Sequence, residues 1–372
     1  MYVCGITPYD ATHLGHAFTY LMFDLVKRVW IDLGIKVQYT QNVTDVDDPL
    51  LERATDIGWD WQQLAQTEVE QYCLDMAALR IMPPDHFLSV SASMPCIEDY
   101  LAKLQAAGVI YQIQDEFPDW YFSIESQPSF GAVFGLPLDQ MMVTFAERGG
   151  DPFRAGKRHP LDALVWRQAR FGEPSWPSSF GQGRPGWHIE CNAIAQASLG
   201  SDIDLQGGGS DLIFPHHEVC AAQAQAATGH KLANTFVHTG MVCLDGAKMS
   251  KSEGNLVKIA ELVESGIDPM AIRLALLAHH YRNDWNWTSA GLNQAQARLD
   301  LWRRACRGST SLDCSAVAAQ VRAYLRDDLH AERALVSIDS WALASLAVAN
   351  DYPGSRQQMV ALSDRLLGVA LI

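Results

Sequence analysis

Tyr2-Val3-Cys4-Gly5-Ile6-Thr7-Pro8-Tyr9-Asp10-Ala11-Thr12-His13-Leu14-Gly15-His16 is the stretch that decides the fold. Tyr2, Val3 and Cys4 read as the end of a strand running into a glycine-containing loop. From Leu14 to Leu33 apolar residues recur at helical spacing (Leu14, Phe18, Leu21, Met22, Leu25, Val26, Val29), with Thr12 as the expected cap. Val37 to Val43 reads as a second strand, because Val37, Tyr39, Gln41 and Val43 share one face, and the acidic turn Asp45-Val46-Asp47-Asp48 closes it. Strand, helix and strand in that order predict a parallel crossover unit, and with it an α/β fold.

With 372 residues, 48% hydrophobic and 19% charged, the chain can bury a large core and build two or three domains. Its start has no basic flank followed by an apolar run, and no segment reaches the roughly 18 apolar residues of a membrane span. The expectation is a cytoplasmic protein without membrane contact. Eight cysteines spread over this length do not make a disulfide framework; in a reducing compartment they are buried thiols or metal ligands. A net charge of −15 leans against a broad grip on nucleic-acid backbones.

Residues 1–107 read as the first half of the main α/β domain. Residues 108–185 read as an insertion, with hairpin-like runs at Val109 to Gln114 and Trp120 to Ile124 and then a segment rich in Gly, Pro, Arg and Trp. The sheet is expected to resume in residues 186–255, with strands at Trp187 to Cys191, Ile203 to Leu205 and Phe236 to Val242 and a helix from about His216 to Thr228. Residues 256–372 read as a helical C-terminal region, including Pro269 to Tyr281, where Pro269 suits a first helical turn.

Two segments have the makings of a phosphate grip. A helix start after His13 offers unpaired backbone N–H groups and a positive dipole end, and Gly15 would let a ligand press against the backbone. On its own, His13-Leu14-Gly15-His16 is equally a bland helix start. Lys248-Met249-Ser250-Lys251-Ser252 could move two ammonium groups over a leaving group, or could be a solvated loop. Cys4, Cys191 and His216 are too far apart in sequence for a local zinc ribbon, and spacing alone assigns them a buried structural role.

Taken together these segments resemble the class I aminoacyl-tRNA synthetases, and the cysteine branch most closely. The resemblance is carried by Met1 to Thr7, Asn42-Val43-Thr44-Asp45-Val46-Asp47-Asp48, Gly183-Arg184-Pro185-Gly186-Trp187-His188-Ile189-Glu190-Cys191 and Gly207-Gly208-Gly209-Ser210-Asp211-Leu212-Ile213-Phe214-Pro215-His216-His217-Glu218, and it runs from Met1 to about Trp287. It implies a Rossmann-type nucleotide-binding parallel sheet with an insertion, followed by a helical C-terminal domain. It also implies one Zn²⁺ per chain on Cys4, Cys191 and His216, with an open position for the substrate thiolate. His13, His16, Lys248 and Lys251 would act on ATP, which carries Mg²⁺, with Lys251 contacting it directly. The family's adenylate contacts fall on Cys4, Gly5, Ile6, Thr7, Thr19, Asn42, Val43, Thr44, Trp187, Gly209, Ser210, Asp211 and Val242. Asp211 would pair with an ammonium or a ribose hydroxyl, or else cap a helix.

Three departures refine this. The synthetases carry Glu four residues after the ligand histidine; here that position is Cys220, either a fourth ligand or a packing residue. Relatives extend ahead of the first strand; if an N-terminal piece is missing here, an exposed sheet edge is the expected cost. Only 372 − 252 = 120 residues follow Ser252, short for an anticodon-binding end. Glu147-Arg148-Gly149-Gly150-Asp151-Pro152, with Pro8 to His16 and Lys157 to Trp166, is instead similar to the cysteine:glucosaminyl-inositol ligases of mycothiol biosynthesis. That resemblance implies a monomeric, ATP-dependent, amide-forming ligase acting on L-cysteine and glucosaminyl-inositol without a nucleic-acid partner, the hexapeptide being a plain glycine turn or an acceptor-site loop. A shortened cysteinyl-tRNA synthetase and an inactive paralogue holding cysteine or zinc are the competing readings.

Overall fold

The computed structural model describes residues 1–249 and 254–372, so Lys251 lies outside the described residues. In chain order the strands are β1 (Tyr2–Ile6), β2 (Thr40–Val43), β3 (His86–Ser89), β4 (Ile110–Gln112), β5 (Trp120–Phe122), β6 (Ala163–Gln168), β7 (Gly183–Pro185), β8 (Ile203–Gly209), β9 (Ala233–Thr239), β10 (Val242–Leu244), β11 (Ala247–Lys248) and β12 (Trp285–Trp287). The helices are α1 (Leu14–Asp32), α2 (Asp48–Ile57), α3 (Trp61–Ala78), α4 (Met94–Ala106), α5 (Leu138–Glu147), α6 (Trp187–Leu199), α7 (Glu218–Thr228), α8 (Ile259–Glu264), α9 (Pro269–Leu277), α10 (Ser289–Arg307), α11 (Ser315–Arg326), α12 (Ala331–Ala347) and α13 (Ser355–Leu367).

The main sheet has the order β3-β2-β1-β8-β9, with β1 running parallel to both β2 and β8, and β2 parallel to β3. This is the Rossmann-type α/β architecture, and β1 lies inside it with a partner on each side; the exposed edge expected at the first ligand strand is not there. Between β3 and β8 in the chain comes an antiparallel sheet, β4-β5-β6-β7, and after β12 the chain is helical.

Two compact units make up the chain. One comprises Met1–Asp10, Gln38–Val69 and Pro84–His238; the other comprises Ala11–Val37, Glu70–Pro83 and Thr239–Ile372. In the first unit a continuous core runs through Tyr2, Cys4, Ile189, Cys191 and Cys220. Nearly every residue of β8 is buried, as expected of an interior parallel strand covered on both faces. In the second, Asp24 of α1 and Arg273 of α9 form an ion pair with both side chains fully buried, and Arg273 also donates to the carbonyls of Leu79 (2.7 Å) and Leu367 (2.5 Å). Asp24 also pairs with Arg28 at 2.8 Å, so removing Asp24 is the change that would strand the buried Arg273 charge, at a cost of about 3–5 kcal/mol.

Several local expectations change. Trp187 to Cys191 is the first turn of α6, not a strand. His188 and Glu190 are buried along with Ile189 and Cys191, so the apparent apolar-polar alternation came from polar groups that face inward. The cap of α1 is His13, whose Nδ1 accepts from Gly15 N at 3.0 Å, and not Thr12. The segment expected as one strand from Phe236 to Val242 is divided between β9 and β10. The helix expected from His216 starts at Glu218, after an irregular turn, Ile213–His217, in which Phe214 has extended backbone.

Candidate functional site

Within the first unit the sheet and two helix starts bring together the three predicted ligands. β1 presents Cys4, α6 presents Cys191 and the turn before α7 presents His216. All three are buried, and their ligating atoms lie within 4.8 Å of one another. Gly5 follows the first of them because a Cβ there would meet the Asn42 carbonyl oxygen at 1.6 Å; a side chain would push β1 off β2. Asn42 Oδ1 accepts from Tyr2 Oη (2.9 Å) and Gly5 N (2.8 Å), and its Nδ2 donates to Thr44 Oγ1 at 3.1 Å.

The electrostatics suit a soft cation. Cys4 Sγ donates to Cys191 Sγ at 3.9 Å, which, with the His216 ring nearby, holds the Cys191 thiol well below its usual range. Burial and the same neighbour push the Cys4 thiol up. A bound cation would favour the thiolate of either cysteine. Burial drives His188 and His217 well below the ordinary imidazole range, leaving both neutral. Two sulfurs and one imidazole in a dry cluster are the donor set that zinc prefers, so the residues present fit that ion.

Further groups surround the cluster. His217 Nε2 lies 3.3 Å from Cys4 Sγ, and its Nδ1 is 2.7 Å from His238 Nε2 on β9. Gln206 Nε2 donates to Cys4 Sγ at 3.3 Å. Trp187 stacks on His216, with ring centroids 4.5 Å apart at 25°. Cys220 joins a second, overlapping group with His188 and His216; its Sγ is 3.8 Å from His216 Nε2 and donates to the His188 carbonyl at 3.3 Å. Nothing in the sequence marks Gln206 and His238 as neighbours of the cluster: Gln206 comes beside Cys4 through the register of β8 against β1, where it pairs with Tyr2.

The remaining predicted contacts divide between the units. Gly5, Ile6, Thr7, Asn42, Val43, Thr44, Trp187, Gly209, Ser210 and Asp211 belong to the first. Glycine at 209 leaves space for Asp211, whose Oδ1 would lie 2.5 Å from an added Cβ. His13, His16, Thr19, Val242 and Lys248 belong to the second. There the His13 and His16 rings lie 4.0 Å apart, and Thr19 Oγ1 is 2.9 Å from Thr239 Oγ1. Leu14 N donates to the Val257 carbonyl at 3.0 Å, tying the start of α1 to the segment ahead of α8. Lys248 pairs through its backbone with Cys243 across β10 and β11.

Residues 1–297 match the model of the tRNA synthetases class I (C) catalytic domain. The L-cysteine:1D-myo-inositol 2-amino-2-deoxy-alpha-D-glucopyranoside ligase of Thermomonospora curvata is 57% identical over 100% of this chain and 89% of its own length. The protein of the same name from Thermobifida fusca is 55% identical over 100% of this chain and 90% of its own. Among solved structures, Mycobacterium tuberculosis methionyl-tRNA synthetase in complex with methionyl-adenylate superposes with a TM-score of 0.70 at 16% identity, covering 99% of this chain and 88% of that one, a likeness of fold. With a catalytic-domain match over most of its length and more than half its residues shared with these ligases, the chain belongs to the class I (C) tRNA-synthetase catalytic-domain family, in the branch of the L-cysteine:1D-myo-inositol 2-amino-2-deoxy-alpha-D-glucopyranoside ligases.

Proposed function

We propose that this protein joins L-cysteine to the amine of 1D-myo-inositol 2-amino-2-deoxy-α-D-glucopyranoside at the expense of ATP, giving the amide, AMP and diphosphate. The observation that carries this reading is the buried group of Cys4, Cys191 and His216 in a chain so close to the ligases that bear that name. These three residues would hold Zn²⁺, one ion per chain. When bound, the ion supplies a soft Lewis acid that accepts the cysteine sulfur and rejects the hydroxyl of serine, a discrimination that shape alone could not make.

The cysteine carboxylate attacks the α-phosphorus of ATP, and diphosphate leaves with the electrons of the broken P–O bond. His13, His16, Lys248 and Lys251 take up the charge that develops on the phosphates, which Mg²⁺ accompanies. Trp187 walls the cysteine site, Gly209 allows close approach, and Asp211 pairs with the ammonium or a ribose hydroxyl. Cys4, Gly5, Ile6, Thr7, Thr19, Asn42, Val43, Thr44, Ser210 and Val242 complete the contacts to the adenylate. The neutral sugar amine then attacks the activated carbonyl, AMP departs and the amine loses a proton.

Purified protein supplied with ATP, labelled cysteine and either the amino sugar or tRNA tests the reading. An alkali-stable amide formed with the sugar is the expected product; label transferred only to tRNA would assign the chain to the synthetases instead.

A further inference from the structure

The hexapeptide Glu147 to Pro152 has no place in the chemistry above, yet its fold is specific. Gly149 adopts φ +81°, which favours glycine. A Cβ on Gly150 would lie 2.3 Å from the Phe145 ring, and Gly150 N donates to the Phe145 carbonyl at 2.8 Å. Asp151 accepts from Tyr121 Oη and, at 2.9 Å, from Lys157 Nζ. This tight exit from α5 fixes the direction of one side chain. Arg148 reaches the carbonyls of both Asp211 and Phe214 with Nη1.

Those two carbonyls lie just upstream of His216. Just downstream, the Glu218 carboxylate accepts from Gly131 N at 2.7 Å and from Phe134 N at 3.3 Å, in the turn that leads into α5. Phe130 meets Phe214 edge-on, with centroids 6.4 Å apart, and Phe134 meets His238 at 5.4 Å. One segment of the insertion, residues 130–148, therefore grips the histidine-bearing turn on both sides.

We infer that Arg148 and Glu218 are positioning residues: they clamp the 211–218 turn to residues 130–148, and this clamp sets where the His216 imidazole meets Cys4 and Cys191. The inference rests on the metal reading given under Proposed function. The turn is irregular, with extended backbone at Phe214, so it lacks the regular repeat of an α-helix. A metal ligand displaced by a fraction of an ångström loses much of its affinity, and groups that orient ligands without touching the ion have effects of about 10–100-fold. An arginine suits the task because its rigid guanidinium can serve two carbonyls at once, which a lysine does less well.

The test compares wild-type protein with Arg148→Met, Arg148→Lys and Glu218→Gln, using Arg154→Met as a control that breaks an ion pair to Asp115 elsewhere in the insertion. Zinc affinity is read by competition with a chromophoric chelator, ligand geometry by the visible absorption of the cobalt-substituted protein, and substrate binding by separate KM values for cysteine and ATP. The expected result for Arg148→Met is zinc held about 10–100-fold more weakly, an altered cobalt spectrum and a raised KM for cysteine with that for ATP unchanged. Arg148→Lys should recover part of each, Glu218→Gln should fall in the same direction, and the control should match wild type. Wild-type zinc affinity and cobalt spectrum in Arg148→Met would overturn the inference; should that variant fail to fold, the same wild-type values in both Arg148→Lys and Glu218→Gln would do so. A wild-type protein that is fully active without metal would overturn the reading beneath it as well.

Discussion

Gln206 donates its amide N–H to the sulfur of Cys4 across 3.3 Å, from a strand hydrogen-bonded to the one that carries the cysteine. The same nitrogen lies 3.2 Å from His217 Nε2. A donor aimed at sulfur stabilises the thiolate, which is the form that binds metal. Gln206→Leu keeps the volume and deletes the donor. Zinc should then be held about tenfold more weakly, measured by chelator competition, with little change in secondary structure by circular dichroism.

Cys191→Ala removes a ligand instead of its support. Its thiol is the one that the hydrogen bond from Cys4 and the nearby His216 ring hold below the usual range. The variant should retain no stoichiometric zinc by elemental analysis, and cysteine-dependent exchange of diphosphate into ATP should fall by more than about 100-fold. Full exchange activity in a folded, metal-free variant would remove the site from the reaction.

Gly5→Ala tests the backbone contact beneath the cluster. A Cβ 1.6 Å from the Asn42 carbonyl oxygen cannot be relieved by turning a side chain, so β1 and β2 must separate. A loss of about 3 kcal/mol or more in urea unfolding is expected, with zinc released in the same transition.

Asp75 gives a pH-dependent prediction away from the site. It is buried, Gln71 serves one of its oxygens at 3.0 Å, and the other has no hydrogen-bond partner among the described residues. Burial raises its carboxyl to about 6, with a smaller push from Glu264. The folded state therefore binds more protons than the unfolded chain between about pH 4 and 6, and stability declines as pH rises through that window. Asp75→Asn should raise the melting temperature near neutral pH, by the equivalent of about 1 kcal/mol after solvent screening, and should have no such effect below about pH 4. Equal shifts at both pH values would contradict this assignment.

Long amphipathic periodicity was readable from sequence, and short segments were not. The helix expected from Leu14 to Leu33 spans Leu14–Asp32, because nineteen residues provide enough turns to fix a 3.6-residue period. Trp187 to Cys191 offers five positions, too few to separate that period from one of two, and its inward polar residues supplied a false alternation. The nearness of Cys4, Cys191 and His216 could not be read from spacing at all, since it is created by the register of β1 against β8 and by the turn before α7. The resemblance to a family supplied it. Arg148 stood within the hexapeptide quoted from the sequence, but its contacts were not legible because its partners are main-chain carbonyls, which leave no mark in the identity of the residues that carry them.

The 187 residues that separate Cys4 from Cys191 govern how this protein is made. At about 5–20 residues per second, a ribosome needs on the order of ten seconds or more between adding the first cysteine and the second. Throughout that interval β1 has no β8 to lie against, and its sulfur has no companion. If the three residues hold a metal ion, the complete ligand set exists only once His216 has also been made, so the ion would be captured after the amino-terminal half has left the ribosome's active centre.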